Sequence, residues 1–231
     1  MMASISDAEL IILPEMWNTG FTMKAQLYAD NAEVALAKMK EWSTLSKAAM
    51  IGSIIVKENG NYYNRLYFVD GDQIISHYDK RHLFAYSGED RSFKAGDSRC
   101  IVDFKSWRLC LNICYDLRFP VWSRNYEDYD LLIYIANWPD KRVEAWQALL
   151  KARAIENQAY CIGCNCFGED AWHNRYGGFS QAYAYDGRMI TDNINSPAVF
   201  NLVLKKEEQL SFRKSFPFLK DRDDLSAIKK V

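Results

Sequence analysis

Histidine is scarce in this chain: only His77, His82 and His173 occur in 231 residues. A cysteine–histidine catalytic pair or a histidine-rich metal site therefore has few candidates. An excess of charge of either sign is missing too. Lys plus Arg number 29 and Asp plus Glu 30, a balance that argues against duplex nucleic acid or an anionic membrane as partner. No apolar run approaches the roughly 18 residues that a membrane-spanning helix needs. The first residues, MMASISDAEL, have neither a basic start nor an apolar centre, so they do not read as a secretory leader. A cytoplasmic protein is the expectation.

Hydrophobic residues make up 49% of the chain, enough to bury a sizeable core in one domain over residues 1–231. There are six cysteines, Cys100, Cys110, Cys114, Cys161, Cys164 and Cys166. In a reducing compartment they are expected as thiols. Cys161 and Cys164 form a C-x-x-C, but no second Cys or His pair stands at zinc-site spacing, and a structural role is the better reading. No metal and no organic cofactor is expected.

Periodicity indicates an α/β fold. The apolar run Ile11-Ile12-Leu13 reads as a buried strand ending at Pro14-Glu15. Residues 31–49 carry a helical pattern in Val34, Leu36, Met39, Trp42 and Leu45. Strands are expected over 51–56, 62–69 and 73–78, separated by Asn59-Gly60 and Asp70-Gly71-Asp72, good hairpin turns. Residues 80–99 read as irregular. Further strands are expected over 101–104, 107–113, 131–136, 160–165, 181–185 and 198–204. A helix over 141–158 buries the stripe Val143, Trp146, Leu150 and Ala154.

Four residues stand where α/β active sites gather, at the ends of such elements. Cys114 closes the strand ending Leu111-Asn112-Ile113 and precedes a polar turn into an expected helix. A thiol there can serve as a nucleophile, although a free cysteine is more often a small buried hydrophobe. Glu15, Lys80 and Glu89 taken singly read as ordinary capping or solvated charges.

Together they carry a resemblance. LPEMWNTGF (13–21), YDKRHLF (78–84) and ICYDLRFPVWSRN (113–125) resemble the three signature motifs of the nitrilase, or carbon–nitrogen hydrolase, superfamily. IANWP (135–139), WQALLKARAIENQAY (146–160) and FRKSFPFLKDRD (212–223) extend the likeness over about residues 9–224. CYDLRFPVWSRN and ARAIENQAY are similar to the ω-amidase branch, whose members hydrolyse the terminal amide of short 2-oxo dicarboxylic acid monoamides such as 2-oxoglutaramate.

The resemblance implies a four-layer αββα sandwich of two mixed sheets, commonly assembled as a homodimer or larger. It implies Cys114 as nucleophile, Glu15 as proton shuttle and Lys80 as oxyanion stabiliser with the backbone N–H of Tyr115. Glu89 would orient Lys80. Trp17, Arg118, Phe119 and Trp138 are candidates for the substrate pocket. Arg118 would meet a substrate carboxylate or serve a structural ion pair. The rival readings are a hydrolase of another C–N compound, such as a carbamoyl compound, and a non-catalytic binding or assembly module.

Two departures accompany the match. Phe179 stands before Ser180 where close relatives usually carry an acidic residue. The motif LPE arrives at residue 13, whereas the family places a strand and helix ahead of it. The expectation is a sandwich lacking that first unit, with residues 4–9 as the tail of its helix and a weakened strand leading to Glu15.

Overall fold

The computed structural model describes residues 7–170, 173–191 and 198–223. In chain order its elements are β1 (Leu10–Ile12), α1 (Ala25–Tyr28), α2 (Ala32–Ser46), β2 (Ala49–Glu58), β3 (Asn61–Asp70), β4 (Gln73–Asp79), α3 (Glu89–Ser92), β5 (Cys100–Phe104) and β6 (Trp107–Ile113). There follow β7 (Leu131–Ala136), α4 (Val143–Asn157), β8 (Tyr160–Asn165), β9 (Phe167–Glu169), β10 (Arg175–Gly177), β11 (Gln181–Tyr183) and α5 (Lys206–Ser215).

Two mixed sheets form the middle of the molecule. The first has the order β1-β2-β3-β4, with β1 parallel to β2 and the rest antiparallel. The second has the order β11-β8-β7-β6-β5, with β6, β7 and β8 parallel and antiparallel strands at both edges. Ile51, Leu66, Phe68 and Tyr78 of the first sheet pack against Val102, Leu109, Leu111 and Ile133 of the second. Helix α2 covers the outer face of the first sheet and α4 that of the second. This is the four-layer αββα sandwich.

The central strands show why. Every residue of β7 is buried, as a parallel strand covered on both faces requires, and its sequence Leu-Leu-Ile-Tyr-Ile-Ala is apolar throughout. Each fully buried Ile or Leu contributes about 1.5–3 kcal/mol. Asn59 and Gly60 both take positive φ, 48° and 78°, the backbone a tight two-residue hairpin demands between β2 and β3. Helix α4 lies close on β8 because Gly163 has no Cβ; one placed there would meet Leu150 and Trp146 at 2.5 Å.

Four expectations are corrected. Residues 198–204 form no strand. The outer edge of β11 is taken instead by the chain's own return, through Ala184 N–H to Arg188 O and Ile190 N–H to Ala182 O. Helix α2 buries Ala35, Met39 and Ser43 and turns Val34 and Leu45 outward: the small Ala35 and Ser43, about two turns apart on either side of Met39, let it approach the sheet. After Cys114 there is a five-residue 3-10 turn rather than a full helix, ended by Phe119-Pro120. Within residues 80–99, Glu89 opens the one-turn helix α3. As to the expected helix tail, residues 4–6 lie outside the described residues, and residues 7–9 are not helical.

Candidate active site

The ends of four strands converge at one end of the sandwich. Leu13 extends the β1 ladder by donating its N–H to Ile51 O at 2.7 Å, which delivers Glu15 just beyond. Lys80 follows β4, with its N–H on Asn64 O and its carbonyl accepting from Gly96 N. Cys114 follows β6, and Asn137 follows β7.

Three charged side chains meet there out of water. Glu15, Lys80 and Glu89 are each 1% exposed or less. Lys80 Nζ donates to Glu15 Oε1 at 2.8 Å and to both oxygens of Glu89 at 2.9 Å. Asn64 Nδ2 bridges the two carboxylates, at 2.8 Å to Glu15 and 3.4 Å to Glu89. The second oxygen of Glu15 accepts from Asn137 N–H at 2.9 Å, and Asn137 Nδ2 donates to the Glu15 carbonyl at 2.8 Å. Phe84 N–H donates to Glu89 Oε2 at 2.6 Å. Each ion is thus paired and hydrogen-bonded, the condition under which buried charge is tolerated.

These contacts set proton affinities. Burial alone would lower that of Lys80, but the adjoining Glu15 and Glu89 carboxylates outweigh it and hold the ammonium well above its ordinary range. Burial and the nearby Glu15 charge raise the Glu89 carboxyl, against the pull of Lys80. Burial pushes the Cys114 thiol well up, Glu15 adds to this, and Lys80 opposes it only in part. The resting Cys114 is therefore a neutral thiol, and its activation requires a base.

Cys114 sits at φ 45°, in the left-handed region that side chains other than glycine rarely enter. Its Sγ lies 4.0 Å from Asn137 O. Above it opens a cavity of about 280 Å³, lined among others by Lys80, Phe84, Tyr115, Arg118, Trp138 and Arg142. Two guanidinium groups border this space. Arg118 lies 5.0 Å over the Trp138 ring and Arg142 5.2 Å over Phe84. Neither pairs with a carboxylate among the described residues.

The structure brings Glu15, Lys80, Glu89 and Cys114 together and places Tyr115, Arg118 and Trp138 on the cavity wall. Trp17 and Phe119 stand outside it. Trp17 packs on Trp42 at 5.1 Å and borders a groove beside β1. Phe119 stacks on the His82 ring at 3.8 Å. Sequence reasoning missed Asn64, Asn137 and Arg142. No signal set Asn64 apart, since β3 also carries Asn61, Arg65 and Asp70; the signal for Asn137 was its place directly after the apolar run of β7. Phe179 is at φ 51° and its carbonyl accepts from Trp146 Nε1 at 2.8 Å, so it anchors the loop to α4. Among the described residues no group of three or more His, Cys, Asp or Glu is arranged to hold a metal.

Known proteins share this chain's sequence and architecture. The carbon–nitrogen hydrolase family model matches residues 1–198. The omega-amidase YafV of Yersinia enterocolitica is 40% identical over 224 residues, 96% of this chain and 88% of that one. The 2-oxoglutaramate amidase of Bacillus subtilis is 31% identical, over 94% of this chain and 86% of its own. A crystal structure of a CN-hydrolase superfamily protein from Xanthomonas campestris, with an arsenic adduct in its active site, superposes with a TM-score of 0.92 at 32% identity, covering 97% of this chain and 88% of that one. With the sandwich and its buried Glu-Lys-Glu cluster beside a cysteine, these matches establish that the chain belongs to the carbon–nitrogen hydrolase family.

Proposed function

We propose that this chain is an ω-amidase-like enzyme that hydrolyses the terminal amide of small 2-oxo acid monoamides, 2-oxoglutaramate among them, to the acid and ammonia. The observation that carries the chemistry is the fully buried Lys80, bonded to Glu15 and Glu89 at the floor of the Cys114 cavity. The substrate class draws on the 31–40% identity to amidases with those names and on the two guanidinium groups at the cavity wall.

The steps follow from the groups present. Glu15 takes the proton from the neutral Cys114 thiol as sulfur attacks the amide carbon. The tetrahedral oxyanion is met by the Lys80 ammonium and the Tyr115 backbone N–H, donors fixed before the charge develops. Glu15 passes its proton to the amide nitrogen, the C–N bond breaks, and ammonia leaves a thioester on Cys114. Water, deprotonated by Glu15, attacks that thioester. The acid departs as the sulfur regains its proton. Glu89 keeps Lys80 charged and aimed. Arg118, which pairs with no carboxylate among the described residues and is backed by Trp138, pairs with the distal carboxylate of the substrate.

A panel of short amides with and without a distal carboxylate, read by ammonia release, tests this. The acid-bearing amides are expected to turn over fastest and neutral nitriles poorly. Equal rates on charged and uncharged amides would remove the substrate assignment and leave the family intact.

A further inference from the structure

Lys80 and Cys114 hang from different sheets, Lys80 after β4 and Cys114 after β6. Their separation has to be held, because a misplacement of about 1 Å costs on the order of 10² in rate. One buried carboxylate spans that gap. Asp116 is fully buried. Its Oδ2 accepts from Tyr78 Oη at 2.8 Å and from Ile113 N–H at 3.0 Å. Its Oδ1 accepts from His82 N–H at 2.9 Å and from His82 Nδ1 at 2.7 Å. Tyr78 and His82 stand two residues before and after Lys80, and Ile113 immediately precedes Cys114. The same four bonds therefore grip the backbone on both sides of the lysine and the residue that leads into the strained turn of the nucleophile.

The surroundings brace this junction. Tyr78 Oη accepts from Trp122 Nε1 at 3.0 Å and from Arg81 N–H at 3.2 Å, so its own hydrogen is directed at Asp116. Burial and the Asp116 charge push the Tyr78 phenol well up, which keeps it a donor. The two backbone and phenol donors leave Asp116 only acceptor capacity toward the imidazole, so His82 Nδ1 carries its hydrogen there. The ring is held in plane by Phe119, stacked at 5°. Neither Asp116 nor His82 lines the Cys114 cavity, so neither touches substrate.

We propose that Asp116 is a positioning residue: its carboxylate, gripped by Tyr78, His82 and Ile113, sets the spacing between the oxyanion lysine and the nucleophile. This rests on the roles assigned to Lys80 and Cys114 above. An Asn at 116 would keep one accepting oxygen and turn an NH₂ toward the other pair of donors. An Asn at 82 offers an N–H close to where imidazole Nδ1 offers its own, but loses the stacking on Phe119, as Ala at 82 does. The comparison of His82→Asn with His82→Ala therefore isolates the hydrogen bond from the packing.

The test measures kcat and KM for Asp116→Asn, His82→Ala and His82→Asn at a temperature where melting curves show each variant fully folded. Asp116→Asn is expected to lower kcat about 100-fold, with KM within roughly threefold of the parent. His82→Ala is expected to lower kcat about tenfold, and His82→Asn to recover most of that loss. The proposal is overturned if folded Asp116→Asn keeps parental kcat, or if His82→Ala and His82→Asn turn over equally. Should Asp116→Asn fail to fold, the His82 pair decides alone. Cys114→Ala, assayed in parallel, separates the two levels: activity in that variant would sink the nucleophile assignment whatever the His82 pair shows.

Discussion

Replacing Lys80 by methionine, which is similar in length but uncharged, separates the two jobs proposed for the ammonium. The first is electrostatic support of the fold. Its side chain is wholly buried and its three hydrogen bonds all go to carboxylates, so Lys80→Met strands two buried like charges. Removing one partner of a buried ion pair costs about 3–5 kcal/mol. For a chain of this length each kcal/mol moves Tm by roughly 2–4 °C, so Tm should fall by roughly 6–20 °C. The second job is in the reaction: loss of one oxyanion donor lowers kcat on the order of 10²–10³. The double variant Lys80→Met/Glu89→Gln removes one of the stranded charges. It should regain a large part of the lost Tm and none of the lost rate. The sign of the pH dependence is also set. A lysine whose folded affinity is raised contributes stability that is fully present below its ordinary value of 10.5 and fades only as pH rises through the folded value. In Lys80→Met the stranded carboxylates, raised by burial and by each other, take up a proton as pH falls, so the Tm gap between parent and variant should widen as pH rises from about 5 to 9. Differential scanning calorimetry and ammonia release give both readings. If the double variant recovers rate to within about tenfold of the parent, Lys80 is only a counterion. If Lys80→Met melts with the parent, the charges are not buried as described.

Three further outcomes are expected. Cys114→Ala should abolish the thioester seen by mass spectrometry after a substrate pulse while leaving Tm nearly unchanged, and in the parent iodoacetamide should label Cys114 first of the six thiols; another cysteine labelled first would count against the assignment. Arg118→Met should raise KM for carboxylate-bearing amides by about tenfold or more and leave uncharged amides unaffected, since a charge-assisted bond contributes about 1.5–3 kcal/mol; equal effects on both would contradict the pairing. Gly96→Ala should lower both Tm and kcat, because a Cβ there would overlap the carbonyl of Asp79 and push on the backbone that presents Lys80; an unperturbed Tm would show that this contact yields freely.

Most of the framework was legible because it rests on local signals. The apolar run of β7 and the Asn59-Gly60 hairpin each announce one structure and no other. The candidate catalytic quartet was legible only through ordered motifs, since Glu15, Lys80 and Glu89 are separately indistinguishable from surface charges. What escaped notice depends on pairing across the molecule. Asn64 lies in the middle of a strand, and its role exists only because β1 delivers Glu15 beside it and α3 delivers Glu89. Residues 198–204 have a strand-like composition, yet the edge of β11 was already occupied by residues 188–190. Trp17 and Phe119 neighbour catalytic positions in sequence but point elsewhere, Trp17 toward α2 and Phe119 toward His82. Arg142 enters from the turn before α4, a place no motif marks.

The positive φ of Cys114 also narrows the routes by which this enzyme could change its chemistry over evolutionary time. Left-handed backbone is hardest on β-branched side chains, whose second substituent on Cβ crowds the neighbouring carbonyl. A threonine nucleophile is thereby closed to this scaffold, although it carries a hydroxyl competent elsewhere. Serine remains open sterically, but only as a weaker nucleophile in a site tuned to accept a thiol's proton. Glycine would relax the turn and abolish the reaction. The backbone at position 114 thus favours glycine over cysteine in conformational energy, whereas the proposed reaction requires the thiol.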